Sequence, residues 1–320
     1  MKTNFLHKLA LISLLVLIVL TTGCKKVEED IVVDNEANDN VEVETPEDPD
    51  EIMKEFYKMI NGEEQTSNVA LFINDGIEKL DKIKADTMIL DYESYLIQDL
   101  NLLLKEYESA NSNPELAVIF ELGVKDNILN VKDEQLKELL AKTIDNGYLL
   151  LKGGGYIYPE IDYSEILKHR EYITSNVVDY LEIMKVETKN RFTYGEEIEI
   201  PLEDLLNRVI MAENYLVSNK DSKSSNKIYG LYGEYMDGVI VGTGNPYVLA
   251  NEGTSIIKDE ILDEYKALIS NNKDSRTAEI LEEYINILAN NDNDMDAPEV
   301  IEFYDNRDSN IQDKFRDLGL

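Results

Sequence analysis

Two histidines, His7 and His169, and one cysteine, Cys24, are the whole supply of side chains that titrate or attack near neutral pH. Acyl transfer by a Ser-His-Asp or Cys-His arrangement needs such a base beside its nucleophile. His7 lies in an N-terminal apolar segment. His169 stands between Lys168 and Arg170 with no Gly-x-Ser-x-Gly motif in the chain, so it reads as a solvated residue near a helix end. One histidine without a spare thiol cannot build a zinc site. Glycoside hydrolysis asks for two carboxylates at a defined separation, and 65 Asp and Glu residues single out no pair. Asp292, Asp294 and Asp296 alternate as in the first half of an EF-hand loop. Ala297 stands where the turn needs Gly and Phe303 where a bidentate Glu is needed, so the segment reads as a solvated loop. Gly242-Thr243-Gly244 lacks the third glycine of a dinucleotide fingerprint, Tyr247 occupying that place, and reads as a turn. These residues predict no catalytic group, no metal and no cofactor.

The strongest chemical signal is the setting of Cys24. Lys2 and Lys8 precede an apolar run from Leu9 to Leu20, and Leu20-Thr21-Thr22-Gly23-Cys24 supplies small residues ending in the thiol. That is the layout of an export signal over residues 1–23. It resembles a bacterial lipoprotein signal, with Thr21 where that family usually carries Leu. The resemblance implies that Cys24 is diacylated, becomes the mature N-terminus and places the protein on the extracytoplasmic face of the cell membrane. An exported chain with one thiol makes no internal disulfide. The formal charge is −34, and loss of Lys2 and Lys8 with the signal leaves the remainder more acidic still. Such a surface repels nucleic acid and anionic headgroups, leaving basic ligands, divalent cations or plain solubility open.

The elements that follow are a tether and then helices. Val27 to Asp50 is nearly all Glu, Asp, Asn, Val and Thr with Pro46 and Pro49, so residues 24–50 read as the lipidated cysteine and a disordered acidic linker. From Glu51 the apolar spacing turns helical, and residues 51–152 read as an N-terminal helical domain. Asp50 is placed to cap a helix carrying Ile52, Phe56 and Ile60. Val69, Phe72, Ile73, Ile77, Leu80 and Ile83 make one stripe, and Leu96, Leu100, Leu103 and Tyr107 another. Asn113-Pro114 opens a helix that Gly123 stops. A helix from about Asp133 to Lys152 would turn Tyr148 and Leu151 inward. Gly153-Gly154-Gly155 then forces a turn, read as an inter-domain hinge over packed tyrosines.

Residues 153–320 read as a C-terminal helical-repeat-like domain. Tyr194 to Ile200 alternates as a short extended piece before Pro201 opens a helix. Asn219-Lys220-Asp221-Ser222 recurs verbatim as Asn272-Lys273-Asp274-Ser275. In that register Leu216 matches Ile269, Ile228 Leu281, Leu231 Tyr284 and Tyr235 Leu288. Each copy predicts helix, capped polar turn, helix, with a Gly-rich insertion from Asp237 to Thr254 between copies. The arrangement resembles tetratricopeptide-like hairpins of bacterial envelope lipoproteins, and the stretch from Gly153 resembles uncharacterised lipoproteins of Gram-positive bacteria.

The expectation is therefore an all-α protein: a helical bundle followed by stacked helical hairpins, after a signal and an acidic tether. Its expected role is a membrane-anchored interaction or scaffolding module for an envelope protein or peptide, without catalysis. Tyr232, Tyr235 and Tyr247 are the candidate binding residues, and no nucleic acid is expected. A solute- or cation-binding lipoprotein is the alternative, with a carboxylate-dependent cell-wall hydrolase third.

Overall fold

A computed structural model describes residues 45–319 apart from Glu63 and Glu196, and leaves out the side chain of Tyr247. The signal, Cys24 and most of the acidic linker lie outside the described residues.

Helix α1 (Pro49–Ile60) starts at Asp48, two residues before the position expected for its cap. Pro49 explains the shift: it lacks an N–H and its φ is already helical, so it suits the first turn. Asp48 then accepts the free N–H groups of Asp50 (2.9 Å) and Glu51 (3.2 Å). Helix α2 (Thr66–Gly76) runs into a 3-10 turn at Ile77–Lys79. The predicted stripe breaks there because Asp81 caps a new helix, α3 (Lys82–Ala110), through the N–H groups of Ile83 and Lys84. Ile83 thereby lies in the exposed first turn.

The 29-residue α3 is the spine of this half, burying Met88, Ile89, Tyr92, Leu96, Leu103 and Tyr107 at helical spacing and packing on α1 and α2. Helix α4 (Pro114–Leu122) is capped by Asn113 and stopped by Gly123; α5 (Val124–Asn127) and α6 (Glu134–Asp145), capped by Asp133, follow. Strand β1 (Tyr148–Gly153) pairs antiparallel with β2 (Tyr156–Ile161); β2 lies against α3 and β1 against α6. The helix expected to reach Lys152 thus ends at Asp145, and Tyr148 and Leu151 belong to a strand. Asn146-Gly147 stops it, Gly147 having φ +83°. Gly154 and Gly155, with φ +55° and +84°, then form the two-residue loop that a hairpin demands.

After α7 (Tyr163–Ile166), capped by Asp162, come α8 (Ser175–Lys189) and a second hairpin of β3 (Thr193–Tyr194) and β4 (Glu197–Ile198). The ring of Tyr194 lies directly on the backbone of Gly153 and Gly154, so the glycines let one hairpin sit on the other. The last part holds α9 (Leu202–Ser218), α10 (Ser225–Val241), α11 (Asp259–Asn271), α12 (Arg276–Asn290), α13 (Pro298–Asp305) and α14 (Arg307–Phe315). The protein is all-α, with two small antiparallel hairpins among the described residues.

The sequence repeat is a structural one. Helices α9 and α10, and α11 and α12, are packed hairpins. At both turns the Asn carboxamide donates to the carbonyl four residues back, Asn219 to Tyr215 (3.1 Å) and Asn272 to Leu268 (3.0 Å). At both, the Ser N–H reaches the Asn carbonyl (2.8 and 2.9 Å). Ile228 and Leu281, and Tyr235 and Leu288, are fully buried as equivalent positions, while Leu231 is only partly buried where Tyr284 is fully buried, and Tyr232 takes the inward place beside it. The inserted segment is strapped down rather than projecting. Leu249, Ala250 and Ile257 are buried, Ile257 N–H donates to Asn293 O (3.1 Å), and Met295 N–H donates to Ser255 O (2.8 Å). Buried side chains form one cluster from Ile52 to Phe315.

Candidate functional site

The two described tyrosines expected on a binding face are core residues. Tyr232 and Tyr235 are fully buried on the inward stripe of α10 with Ile228, Met236 and Val239. The Tyr232 hydroxyl shares a hydrogen bond with Thr277 Oγ1 (3.0 Å), and its ring packs on Phe315. Tyr235 donates to Glu187 Oε2 (2.8 Å) and meets Phe192 edge-on. Burial pushes both phenols well above their ordinary pKa. They hold helices together and present no open surface; an i, i+3 aromatic pair is what a core stripe contains. The side chain of Tyr247 lies outside the described residues, as does Cys24.

His169 is half-buried in a 3-10 turn rather than solvated, and burial followed by the neighbouring Lys168 lowers its pKa. At the aspartate run, Asp294 turns onto its own loop. Its Oδ1 accepts Asp296 N–H (3.0 Å), and hydrogen bonds from Ser255 and that N–H hold the carboxyl below its ordinary range. No group of three His, Cys, Asp or Glu among the described residues could hold a metal ion. Gly242-Thr243-Gly244 follows the C-terminus of α10, so it offers no helix N-terminus to a phosphate.

Several carboxylates whose partners are far away in sequence were not legible and are used in the core. Glu93, near the middle of α3, accepts hydrogen bonds from Tyr163 (2.5 Å) and Tyr180 (2.6 Å), and Lys227 Nζ lies 2.7 Å from it. Burial, and then the Glu93 charge, drives both phenols far up. Glu187 joins Arg208 (2.7 Å) to Tyr235, while Arg208 also donates to Asn190 O (2.6 Å). Glu213 on α9 accepts the N–H groups of Arg276 (2.6 Å) and Thr277 (2.9 Å), satisfying the start of α12 from another helix. With their acceptor sites filled and the phenols held neutral, these groups brace the fold.

A different set of carboxylates lines a groove of ≈ 590 Å³. Its walls are the segment entering α2, one face of α3 and one face of α6. On α3, Tyr95, Asp99 and Glu106 fall at spacings of four and seven; on α6, Gln135, Glu138, Leu139, Lys142 and Asp145 follow helical spacing. Asp99 Oδ2 accepts from Thr66 (3.0 Å) and Tyr148 (2.9 Å), which fixes it at the floor. Tyr95 meets Thr66 Oγ1 at 3.1 Å and donates to Glu64 O (3.3 Å). Among the described residues Lys142 is the one cation in the lining, and it pairs with Glu106 (2.7 Å). The lining is thus rich in carboxylates, with Glu64, Asp99, Glu106, Glu138 and Asp145 around it.

A second depression, ≈ 520 Å³, lies in the α11–α12 hairpin. Ile269, Ala278 and Ile285 give it apolar surface, and Lys266, Lys273 and Glu282 contribute charge. Fold and grooves together define an all-α protein with helical hairpins in its C-terminal half. No protein-family model, curated protein or solved structure matches the chain.

Proposed function

We propose that the protein is a lipid-anchored, extracytoplasmic interaction module that binds an envelope protein or peptide and performs no catalysis. Cys24 carries the anchor, the acidic linker spaces the body from the bilayer, and tetratricopeptide-like hairpins present the binding surface. The observation that carries this reading is the groove of the α11–α12 hairpin, where Ile269 and Ile285 offer apolar contact and Lys266 and Lys273 offer donors to a peptide. Helical hairpins support extended binding surfaces of this sort, and a groove that sets apolar side chains among polar and charged ones suits a peptide. The diversion of Glu93, Glu187 and Glu213 into structural bonds supports a binding role over a hydrolytic one.

Photo-crosslinking on intact cells tests it. A crosslinking residue at Asn286, in that groove, is expected to trap one discrete envelope protein, and Ile285→Asp is expected to abolish the adduct. Adducts that Ile285→Asp does not alter would sink this assignment of the binding surface.

A further inference from the structure

The two hairpins of the repeat carry the same face in different states. In the register set by the Asn-Lys-Asp-Ser turns, Lys266, Ile269, Ala278, Glu282 and Ile285 of the α11–α12 groove are equivalent to Glu213, Leu216, Ser225, Tyr229 and Tyr232 on α9 and α10. On the first hairpin this face is covered, and Glu213, Leu216, Ser225 and Tyr232 are buried. Its cover is the end of another helix. Glu213 accepts the backbone N–H groups of Arg276 (2.6 Å) and Thr277 (2.9 Å) at the start of α12, and the Tyr232 hydroxyl meets Thr277 Oγ1 (3.0 Å). Beside it the Phe315 ring at the end of α14 seats on Tyr229 and Tyr232, with centroids 5.7 and 4.8 Å away. One face of the repeat thus receives a helix end at its charged residue and an apolar ring next to it.

On the second hairpin the same face is open. Lys266 and Glu282 are exposed, Ile269 and Ile285 are only partly buried, and a depression of ≈ 520 Å³ lies between them. Stacked hairpins bury such faces against one another, so the last one in a stack is left to a cap or a partner. Its charge is reversed relative to the first. A helix begins with free N–H groups and partial positive charge, which is what Glu213 accepts, and it finishes with free C=O groups and partial negative charge. Lys266, standing where Glu213 stands, donates, and so suits the opposite helix end. Among the described residues its ion pair is with Asp263 (3.3 Å), and both side chains are exposed, so water replaces that contact at little cost. Lys273 repeats Lys220 and does not distinguish the two hairpins. Ile285 in place of Tyr232 leaves room for a larger apolar side chain from the occupant.

We infer that the partner of the α11–α12 groove is an α-helix docking by its C-terminal end, with its last carbonyls on Lys266 and an apolar side chain on Ile269 and Ile285. This rests on the binding role proposed for that groove and adds the form and polarity of what it binds. Lys266 is then the residue that sets specificity: it draws the negative end of a helix and repels the positive end that Glu213 holds on the first hairpin.

The test uses benzoylphenylalanine at Asn286 of the full-length chain in intact cells, with the trapped partner peptide mapped by mass spectrometry. The adduct is expected in the last two turns of a helix of the partner. Lys266 is exposed, so Lys266→Glu leaves the fold intact and is expected to lower adduct yield by about fivefold or more, while Lys266→Arg keeps it within about twofold. Lys220→Glu makes the same charge change at an exposed position on the first turn and is expected to alter yield by less than about twofold. An adduct that Ile285→Asp abolishes but Lys266→Glu leaves unchanged overturns the helix-end assignment while the groove stands as a binding surface. Equal losses from Lys266→Glu and Lys220→Glu overturn it too, since that is a response to overall charge. So does an adduct in the first turn of a helix, in an extended segment, or in a second copy of this chain. No adduct at all removes the binding role of the groove and this inference with it.

Discussion

Glu93 is the residue on which most depends. Two phenols and an ammonium converge on one carboxylate that is 5% exposed, and they come from α7, α8 and α10, up to 134 residues away. A buried charge that loses its partners is expensive, whereas a partner that can turn to water is cheap to lose. Lys227 is of the second kind, its side chain being 41% exposed. Glu93→Ala is therefore expected to cost about 3–5 kcal/mol, by stranding the Tyr163 and Tyr180 hydroxyls, while Lys227→Met costs less than about 2 kcal/mol. Urea midpoints measure both, and equal losses would contradict the asymmetry.

At the scale of elements, the recurring device is the asparagine that closes a helix with its own side chain. Each such bond satisfies a terminal carbonyl that would otherwise face solvent or the core. Asn272→Ala is expected to lower stability by about 1 kcal/mol and to fray α11 first, seen as faster hydrogen exchange at its last turn. Gly154→Ala should cost more, because Gly154 has φ +55° and the Tyr194 ring occupies the space of the new methyl; pairing it with Tyr194→Ala should recover part of the loss. Equal costs with and without Tyr194 would remove the ring from the account. These elements also show what a sequence discloses. The Asn-Lys-Asp-Ser turns were legible because their hydrogen bonds are local, and so was the Asn113-Pro114 start. Strand β1 was not. Tyr148-Leu149-Leu150-Leu151 is a short apolar run whose period fits helix and strand alike, and only the pairing with β2 decides it. Tyr232 and Tyr235 were misplaced because aromatics at helical spacing mark a face without saying what covers it. The acidic groove was invisible because its walls come from three separate elements.

The whole molecule is a tyrosine-rich core inside an acidic shell. Tyr304 shows the consequence for alkaline stability: burial raises its phenol from 10 to about 12. Tyr57 is raised to a similar value by burial and by its hydrogen bond to Asp91. The more deeply buried Tyr163 and Tyr180 go higher. Between pH 10 and 12 the unfolded chain has lost these protons while the folded chain keeps them, so the folded state binds more protons and stability falls as pH rises. Their contribution is complete below pH 10 and is lost as pH climbs through about 12. Phenolate absorbance should therefore rise in step with loss of helical circular dichroism. Early titration of most tyrosines in a still-helical protein would contradict the packing described for them.

The lipid anchor proposed at Cys24 is the claim to test most directly. Cells expressing the full chain should incorporate a palmitate analogue into the protein and retain it in washed membranes. Cys24→Ala should abolish the label and release the protein. No helix among the described residues is long and apolar enough to cross a membrane. Cys24→Ala protein that stays membrane-bound through an alkaline wash, or wild-type protein that takes up no label, would contradict the lipid anchor and the function built on it.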